Sequence, residues 1–412
     1  MTGQIAIIGT GPSGCYLAQA LLKAQPELQV DLIDQLPVPY GLVRYGVAPD
    51  HQGSKGVIRQ FARLFERQGA RFFGNLTVND QLSLDDLRAA YDVVVLAAGL
   101  SGDRRLGVPG EGLSGVFGAG RLVWAINDHP DAMALPDLGA HPVIMGNGNV
   151  AIDLLRLLAK TPSELDGSDV GASVGDWLAN SGIESLEIIG RSSAEQAKFD
   201  PVMVKELAKL TGVSIEVIGA AATSDDPAAA RKLAALAEIN GHGSGPRRIT
   251  FRFGLTPVAI KGDDRANAVH FRTETGDDQI IPCSAFVTAI GFQDQGRLDR
   301  ETLLAQAEDI QVGKLAAGLY ATGWFRRGPQ GTIPENRGDA QALAKRILAD
   351  LAPMSDKQGA ALFASHPDLV TYADWQIMDA HEISAPPAGR CRHKIKTRAE
   401  MLALGKASKE LL

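Results

Sequence analysis

The sequence predicts an α/β fold of two doubly wound, mainly parallel sheets, with one lobe inserted into the other. Three observations predict it. A strand–glycine turn–helix unit occurs twice, at Gly9-Thr10-Gly11-Pro12-Ser13-Gly14 and at Gly146-Asn147-Gly148-Asn149-Val150-Ala151. Short continuous apolar runs alternate with stretches of helical periodicity, the pattern of parallel strands buried on both faces. A chain of 412 residues has room for roughly two to three domains, each with its own core.

The elements follow in order. Ile5–Ile8 reads as the opening strand, Cys15–Leu22 as the helix after the first turn, and Val30–Asp34 as the second strand. Pro37–Pro49 is a loop rich in Pro and Gly. Gly56–Gln68 has helical periodicity, Arg71–Val78 looks like strand and Leu84–Ala90 like helix. Tyr91–Ala98 reads as a buried parallel strand. The glycines from Gly99 to Gly120 mark a domain boundary. Pro142–Met145 and Val150–Lys160 repeat the strand and helix around the second turn. Thr161–Gly182 is a polar connection with a helical middle, Leu186–Gly190 a strand and Asp226–Ile239 a helix. Arg248–Phe253, Val258–Lys261, Ala268–Arg272 and Gln279–Cys283 read as short antiparallel strands, and Ala285–Ile290 as a buried one. Leu319–Thr322 leads into Gly323-Trp324, and Asp339–Leu351 is helical. The basic stretch Arg390–Arg398 reads as a solvated surface. Each sheet should hold roughly three to five parallel strands. One lobe is expected from residues 1–103 with 314–412, the other from 104–313.

Bulk properties exclude several classes. Hydrophobic residues make up 45% and charged residues 22%, ordinary for a globular chain. The net charge of −7 argues against a general nucleic-acid binder. No apolar run reaches the ~18 residues of a membrane span. Gln4–Ile8 already reads as strand, so no targeting segment is expected before it. Cys15, Cys283 and Cys391 form neither a CxxC nor a zinc-ligand spacing, so neither a disulfide relay nor a metal site is expected. This usage fits a reducing cytoplasm.

In the first turn, Gly9 permits the tight exit from the strand, Gly11 lets backbone approach a pyrophosphate, and Gly14 lets the helix pack on the sheet. The helix N-terminus offers free N–H groups to the phosphates. Asp34 lies about 20 residues after Gly14, where a carboxylate accepts from ribose hydroxyls and repels a 2′-phosphate. This site therefore suits FAD or NAD rather than NADP. In the second turn Ala151 stands for the third glycine. The strand after it ends at Gly190-Arg191-Ser192-Ser193, with Arg191 where an NAD site would place an acid. A guanidinium suits a phosphate, so this turn leans to NADPH, with Glu195 pulling the other way. Two dinucleotides side by side are the layout of an enzyme passing a hydride between nicotinamide and flavin.

Several longer stretches carry a family resemblance. Pro37-Val38-Pro39-Tyr40-Gly41-Leu42-Val43-Arg44-Tyr45-Gly46-Val47-Ala48-Pro49-Asp50-His51 resembles the signature loop of adrenodoxin-reductase-type ferredoxin–NADP reductases. Gly146–Asp153 is similar to their NADP loop, and Gly323–Ile333 to their flavin-edge motif. Trp375, Asp379, Glu382 and Arg390–Lys394 look like their C-terminal pattern. The resemblance implies two Rossmann-like dinucleotide-binding domains in the glutathione-reductase-like layout, the FAD domain being discontinuous. It implies that Ser13, Asp34, Leu42 and Val78 line FAD, with Trp324, Gly331, Thr332 and Ile333 along the flavin and Gly331 also near the nicotinamide. Asn147, Gly148, Asn149 and Val150 would hold the NADP pyrophosphate, and Arg191 the 2′-phosphate. His51 and Glu206 match positions proposed to pair near the nicotinamide, where they could relay a proton.

The implied activity is hydride transfer from NADPH to FAD, then single-electron transfer to a [2Fe–2S] ferredoxin serving a P450 or other oxygenase. Arg247, Arg248 and Arg252 fall where the family places partner-binding arginines, and Arg326 and Arg327 lie beside the flavin motif. A monomer is implied. The sequence departs from the family where a second arginine is replaced by Ser192 and a glutamate by Met203, so weaker discrimination against NADH is expected. A flavin monooxygenase, an electron-input subunit and a non-catalytic flavin-binding redox sensor remain as alternatives.

Overall fold

The structure is a computed structural model that describes residues 3–351 and 356–409. Its first lobe is built on a seven-stranded sheet. The order is Lys314–Ala316, Leu319–Ala321, Val93–Leu96, Gln4–Ile8, Gln29–Ile33, Arg71–Gly74, Val370–Thr371. The middle five strands are parallel, and an antiparallel strand closes each edge. Successive residues of each strand feed opposite cores. Ile5 and Ile7 pack with Val93, Val95 and Trp375 on one face, Ala6 and Ile8 with Val94, Leu96 and Leu298 on the other. That two-sided burial is why these strands read as unbroken apolar runs.

The second lobe carries six parallel strands in the order Val116–Gly118, Ala285–Thr288, Pro142–Met145, Ser185–Ile189, Arg247–Arg252, Val213–Ile218. A separate antiparallel meander of Leu255–Lys261, Ala268–Thr273 and Asp278–Pro282 covers one face of this sheet through Val269, Phe271 and Phe286. Two expectations change here. The sheet holds six parallel strands rather than three to five. The Arg247–Arg252 strand belongs to the parallel sheet, not to the antiparallel group. Its alternation of polar and apolar residues suits both neighbourhoods, and only distant partners decide between them.

The chain crosses between lobes at Gly102–Asp103 and Phe292–Gln293, which pair antiparallel. Leu298, Leu303 and Leu304 pack into the first lobe's core with Leu315 and Phe325. Drawn by core membership, the second crossing therefore falls near residue 293, ahead of the expected 313/314.

The segment Arg390–Arg398 is not a solvated surface. The Lys394 side chain is fully buried against Asp169, Arg392 pairs with Asp379 and Glu382, and Arg398 pairs with Asp131. This segment straps both lobes together. Among the described residues no helix is long and apolar enough to cross a membrane.

Candidate functional site

The two glycine turns are built alike. Gly9 has φ +108° and Gly146 φ +121°, and a Cβ on either would collide with the backbone carbonyl of Ala97 or Ala289, just past the end of the neighbouring strand. Only glycine fits there. A Cβ on Gly14 would run into the Gly9 carbonyl, whereas the equivalent Ala151 is accommodated and fully buried. Gly11 and Gly148 are the N-caps of Pro12–Ala24 and Asn149–Ala159, and neither helix receives a side-chain cap. A Cβ on Gly11 or Gly148 would meet nothing within 4 Å. Each turn thus presents open space in front of uncapped N–H groups, which fits a pyrophosphate.

A cleft of about 870 Å³ opens at the first turn. Gly9, Asp34 and Val78 line it from the first lobe, Trp124 and Asp131 from the second. Asp34 Oδ2 accepts from the Thr10 amide at 2.9 Å and the Thr10 hydroxyl at 2.5 Å, and Oδ1 accepts from the Leu36 amide at 3.0 Å. Burial pushes the Asp34 carboxyl up, and these three donors oppose that shift. The carboxylate is thus held in one orientation at the cleft wall. This cleft suits the adenosine half of FAD.

The residues expected at the flavin lie outside this cleft but converge on one another. Ser13 Oγ donates to Asn336 Oδ1 at 2.9 Å, Arg327 donates to the same oxygen at 2.9 Å, and Asn336 Nδ2 donates to the Thr332 carbonyl at 3.0 Å. Trp324 stacks on Phe292 of the crossing strand, with centroids 5.6 Å apart. Gly331 and Thr332 are exposed, and Ile333 begins the Ile333–Asp350 helix. Leu42 is brought to the first turn by the strained Tyr40, φ +82°. Gly41 packs so tightly on Gly11 that a Cβ would sit 3.1 Å from its Cα.

At the second turn the Asn147 side-chain amide is buried with no hydrogen-bond partner, a donor left for a ligand. Asn149 Oδ1 accepts from the Asp200 amide at 2.7 Å, fixing the turn to the following loop. Arg191 is exposed and has no protein partner among the described residues, and Ser192, next in sequence, and Val150 are half-buried. Glu195 accepts from Ser193 at 3.0 Å, so the acid near Arg191 is already engaged. Met203 packs on the lobe's core, which removes the glutamate's function from that position.

His51 and Glu206 meet across the lobes, His51 Nε2 lying 3.0 Å from Glu206 Oε2. A third partner was not foreseen: Asp153, 3.4 Å from His51 Nδ1. Burial raises the Asp153 carboxyl. Behind it, Asp50 accepts from Arg156 and Lys160; burial opposes its ionisation, but these cations outweigh it and hold the carboxyl down at about 2. Asp153 closes the Gly146–Asp153 motif, and Arg156 lies three residues on, one helical turn away. That spacing was the available signal. A second buried cluster joins the lobes where Lys55 and Lys394 share Asp169 at 2.7 and 3.2 Å. Next to it Arg44 pairs with the fully buried Glu382 and lies over the Trp375 and Tyr45 rings.

The three expected docking arginines do not form one surface. Arg247 donates to the carbonyls of Ile183, Leu158 and Ala159, Arg252 pairs with Glu187 at 2.9 Å, and only Arg248 is exposed and unpaired among the described residues. Adjacent residues of a strand point to opposite faces, so Arg247 and Arg248 are divided in space, and Arg252, on the face of Arg248, is held by Glu187.

Comparisons with known proteins agree with this geometry. Cindoxin reductase of Citrobacter braakii is 40% identical over 97% of this chain and 90% of that protein. NADPH-ferredoxin reductase FprA of Mycobacterium tuberculosis is 34% identical over 97% of this chain and 98% of that protein. The solved structure of Mycobacterium tuberculosis FprA in complex with NADPH superposes with a TM-score of 0.90 and 32% identity, covering 98% of this chain and 100% of that one. The family model described as pyridine nucleotide-disulphide oxidoreductase matches residues 3–315, a span that takes in both glycine turns and the whole inserted lobe. With two uncapped turns built on one plan and full-length relatives of the same plan, the chain belongs to the pyridine nucleotide-disulphide oxidoreductase family.

Proposed function

We propose that this protein is an NAD(P)H-dependent ferredoxin reductase. It would take hydride from NADPH onto FAD and pass electrons singly to a [2Fe–2S] ferredoxin serving a P450 or other oxygenase. The observation that carries the reading is a pair of uncapped glycine turns in a chain without a usable thiol pair. Cys15 and Cys283 are buried, Cys391 stands apart, and burial pushes all three thiols up. Electrons reaching the cleft therefore leave to a partner rather than to a disulfide. The relatives named as cindoxin reductase and NADPH-ferredoxin reductase support the same reading.

FAD and NADPH together supply the hydride acceptor and donor. The chain's own residues position them. In this reading the Gly9, Gly11 and Gly14 turn, Ser13, Asp34, Leu42 and Val78 hold FAD, with Trp324, Gly331, Thr332 and Ile333 around its ring. Asn147, Gly148, Asn149 and Val150 receive the pyrophosphate of NADPH, and Arg191 with Ser192 its 2′-phosphate. A single guanidinium leaves room for NADH. His51 Nε2 faces Glu206 and Nδ1 faces Asp153, an arrangement suited to proton exchange near the nicotinamide. We take the protein to be a cytoplasmic monomer, which light scattering tests. Anaerobic titration of the purified protein with NADPH and NADH tests the core of the proposal. Bleaching by NADPH and reoxidation by an added ferredoxin are expected. A colourless protein that cannot be reconstituted with FAD would refute it.

A further inference from the structure

A basic surface outside the expected docking arginines stands free. The Ile58–Arg67 helix carries Arg59, Arg63 and Arg67 at steps of four, so they run as one stripe along its solvent side, opposite the buried Phe61 and Leu64. All three are exposed, and none has an ion-pair partner among the described residues. The helix's only acid, Glu66, is turned aside toward Gln376 at 3.5 Å. Across the neighbouring Pro12–Ala24 helix, Arg337 is also exposed and unpaired among the described residues. Burial pushes the Tyr16 hydroxyl up and the Arg337 charge opposes that shift, and the Tyr16 ring packs edge-on against Phe61 at 4.9 Å. Four uncompensated guanidinium groups thus border one helix in a chain of net charge −7. Like charges four apart weaken a helix, so the stripe as a row is not explained by helix stability.

Its position ties it to the candidate redox site. Phe61 stacks on Tyr40, 6.4 Å away, and Tyr40 leads into the Gly41–Gly11 contact. Arg337 follows Asn336, the residue that receives Ser13 and Arg327. The stripe therefore flanks the loop that packs on the first dinucleotide turn, and Arg337, next to Asn336, carries the basic surface toward the residues expected around the flavin ring. Electron transfer falls steeply with distance, so a one-electron partner must dock close to that ring. A short cationic stripe in an acidic protein steers a small acidic partner rather than a long polyanion.

We infer that Arg59, Arg63 and Arg67, with Arg337, form the docking surface for the acidic face of the ferredoxin; this rests on the ferredoxin-reductase reading above. The test uses the purified holoenzyme, NADPH, an acidic plant-type [2Fe–2S] ferredoxin and cytochrome c as terminal acceptor. Ferricyanide serves as an acceptor that needs no docking. The variants are R59E/R63E/R67E, the milder R59Q/R63Q/R67Q in case charge reversal impairs folding, and R248E. Wild-type turnover through ferredoxin should fall as salt rises. The glutamate variant should raise the KM for ferredoxin about tenfold or more and lose that salt dependence, the glutamine variant should move the same way, and both should keep wild-type ferricyanide reduction. If the wild type reduces the ferredoxin but both stripe variants keep its KM and salt dependence, the surface is wrong and the ferredoxin reading stands. A rise in KM confined to R248E also overturns the surface. If the wild type reduces ferricyanide but no ferredoxin, the functional reading fails and the surface falls with it.

Discussion

Asp169 is the carboxylate that Lys55 and Lys394 share at the junction of the lobes, and its replacement gives the sharpest test of how they are held. Asp169→Asn keeps the shape and removes the charge. The Lys394 side chain is fully buried and that of Lys55 is 5% exposed, so neither amine can turn to water in exchange. Removing one partner of a buried ion pair typically costs about 3–5 kcal/mol. Burial first, and Lys394 second, push the Lys55 amine down to about 7, so Lys55 can shed its proton and limit the loss. The expected cost is therefore at the low end, about 3 kcal/mol at pH 7.

The same amine sets a pH dependence. Its folded value of about 7 lies below the ordinary 10.5, so the unfolded chain binds more protons between those limits and stability rises with pH across that window. From pH 7 to 9 one such group contributes a rise of about 2–3 kcal/mol. Lys55→Met should abolish that rise. Urea unfolding followed by tryptophan fluorescence at both pH values measures both effects. A loss below about 1 kcal/mol in Asp169→Asn, or an unchanged pH slope in Lys55→Met, would refute the reasoning.

Three further outcomes are expected. Arg191→Ala should lower kcat/KM for NADPH by about 10- to 150-fold, the equivalent of one charge-assisted hydrogen bond, and leave NADH unaffected. Wild-type kcat/KM with NADH equal to or above that with NADPH would remove the NADPH assignment. His51→Ala should alter the pH profile of flavin reduction in stopped flow; an unchanged rate and profile would leave His51 only a tie between lobes. Gly323→Ala places a Cβ against the Ser13 hydroxyl at φ +61°, a left-handed position costing about 1–2 kcal/mol before the clash is counted. The purified variant should retain less flavin per chain, and full flavin content with an unchanged melting temperature would contradict the packing described for Ser13.

What the sequence disclosed was local. Gly9 and Gly146 are legible because a positive φ beside a neighbouring carbonyl leaves glycine no substitute. Asp34 is legible because its distance from the turn is set by one helix and one strand. The Arg247–Arg252 strand was misplaced because antiparallel and parallel partners accept the same alternation, and the partners come from residues 185–189 and 213–218. Lys394 was misread as solvated because a charge is compensated by whatever meets it in space, here Asp169, far away in the chain. Asp153 escaped notice for the same reason: its partner His51 belongs to the other lobe.

The loop from Pro37 to Lys55 emerges as a mechanical part as well as a signature. At its start Gly41 packs on Gly11, the N-cap of the first dinucleotide helix. At its end Asp50 pairs with Arg156 and Lys160, His51 with Glu206 and Asp153, and Lys55 with Asp169, all in the second lobe. Arg156 and Asp153 stand on the helix that begins at Gly148, the second dinucleotide turn. One stretch of chain therefore runs from one glycine turn to the helix of the other, fastened at both ends. Hydride transfer needs reacting atoms roughly 3–3.5 Å apart, a tolerance that free rotation of two lobes would destroy. This chain has no cysteine pair for a rotating lobe to deliver. Buried ion pairs at the loop's far end are costly unless fully matched, and here they convert that cost into a fixed separation between the two turns. Cutting the brace at Asp50, by Asp50→Asn, should therefore slow hydride transfer from NADPH in stopped flow more than it weakens NADPH binding. The opposite order would mean that the loop shapes a binding site and leaves the spacing of the lobes to other contacts.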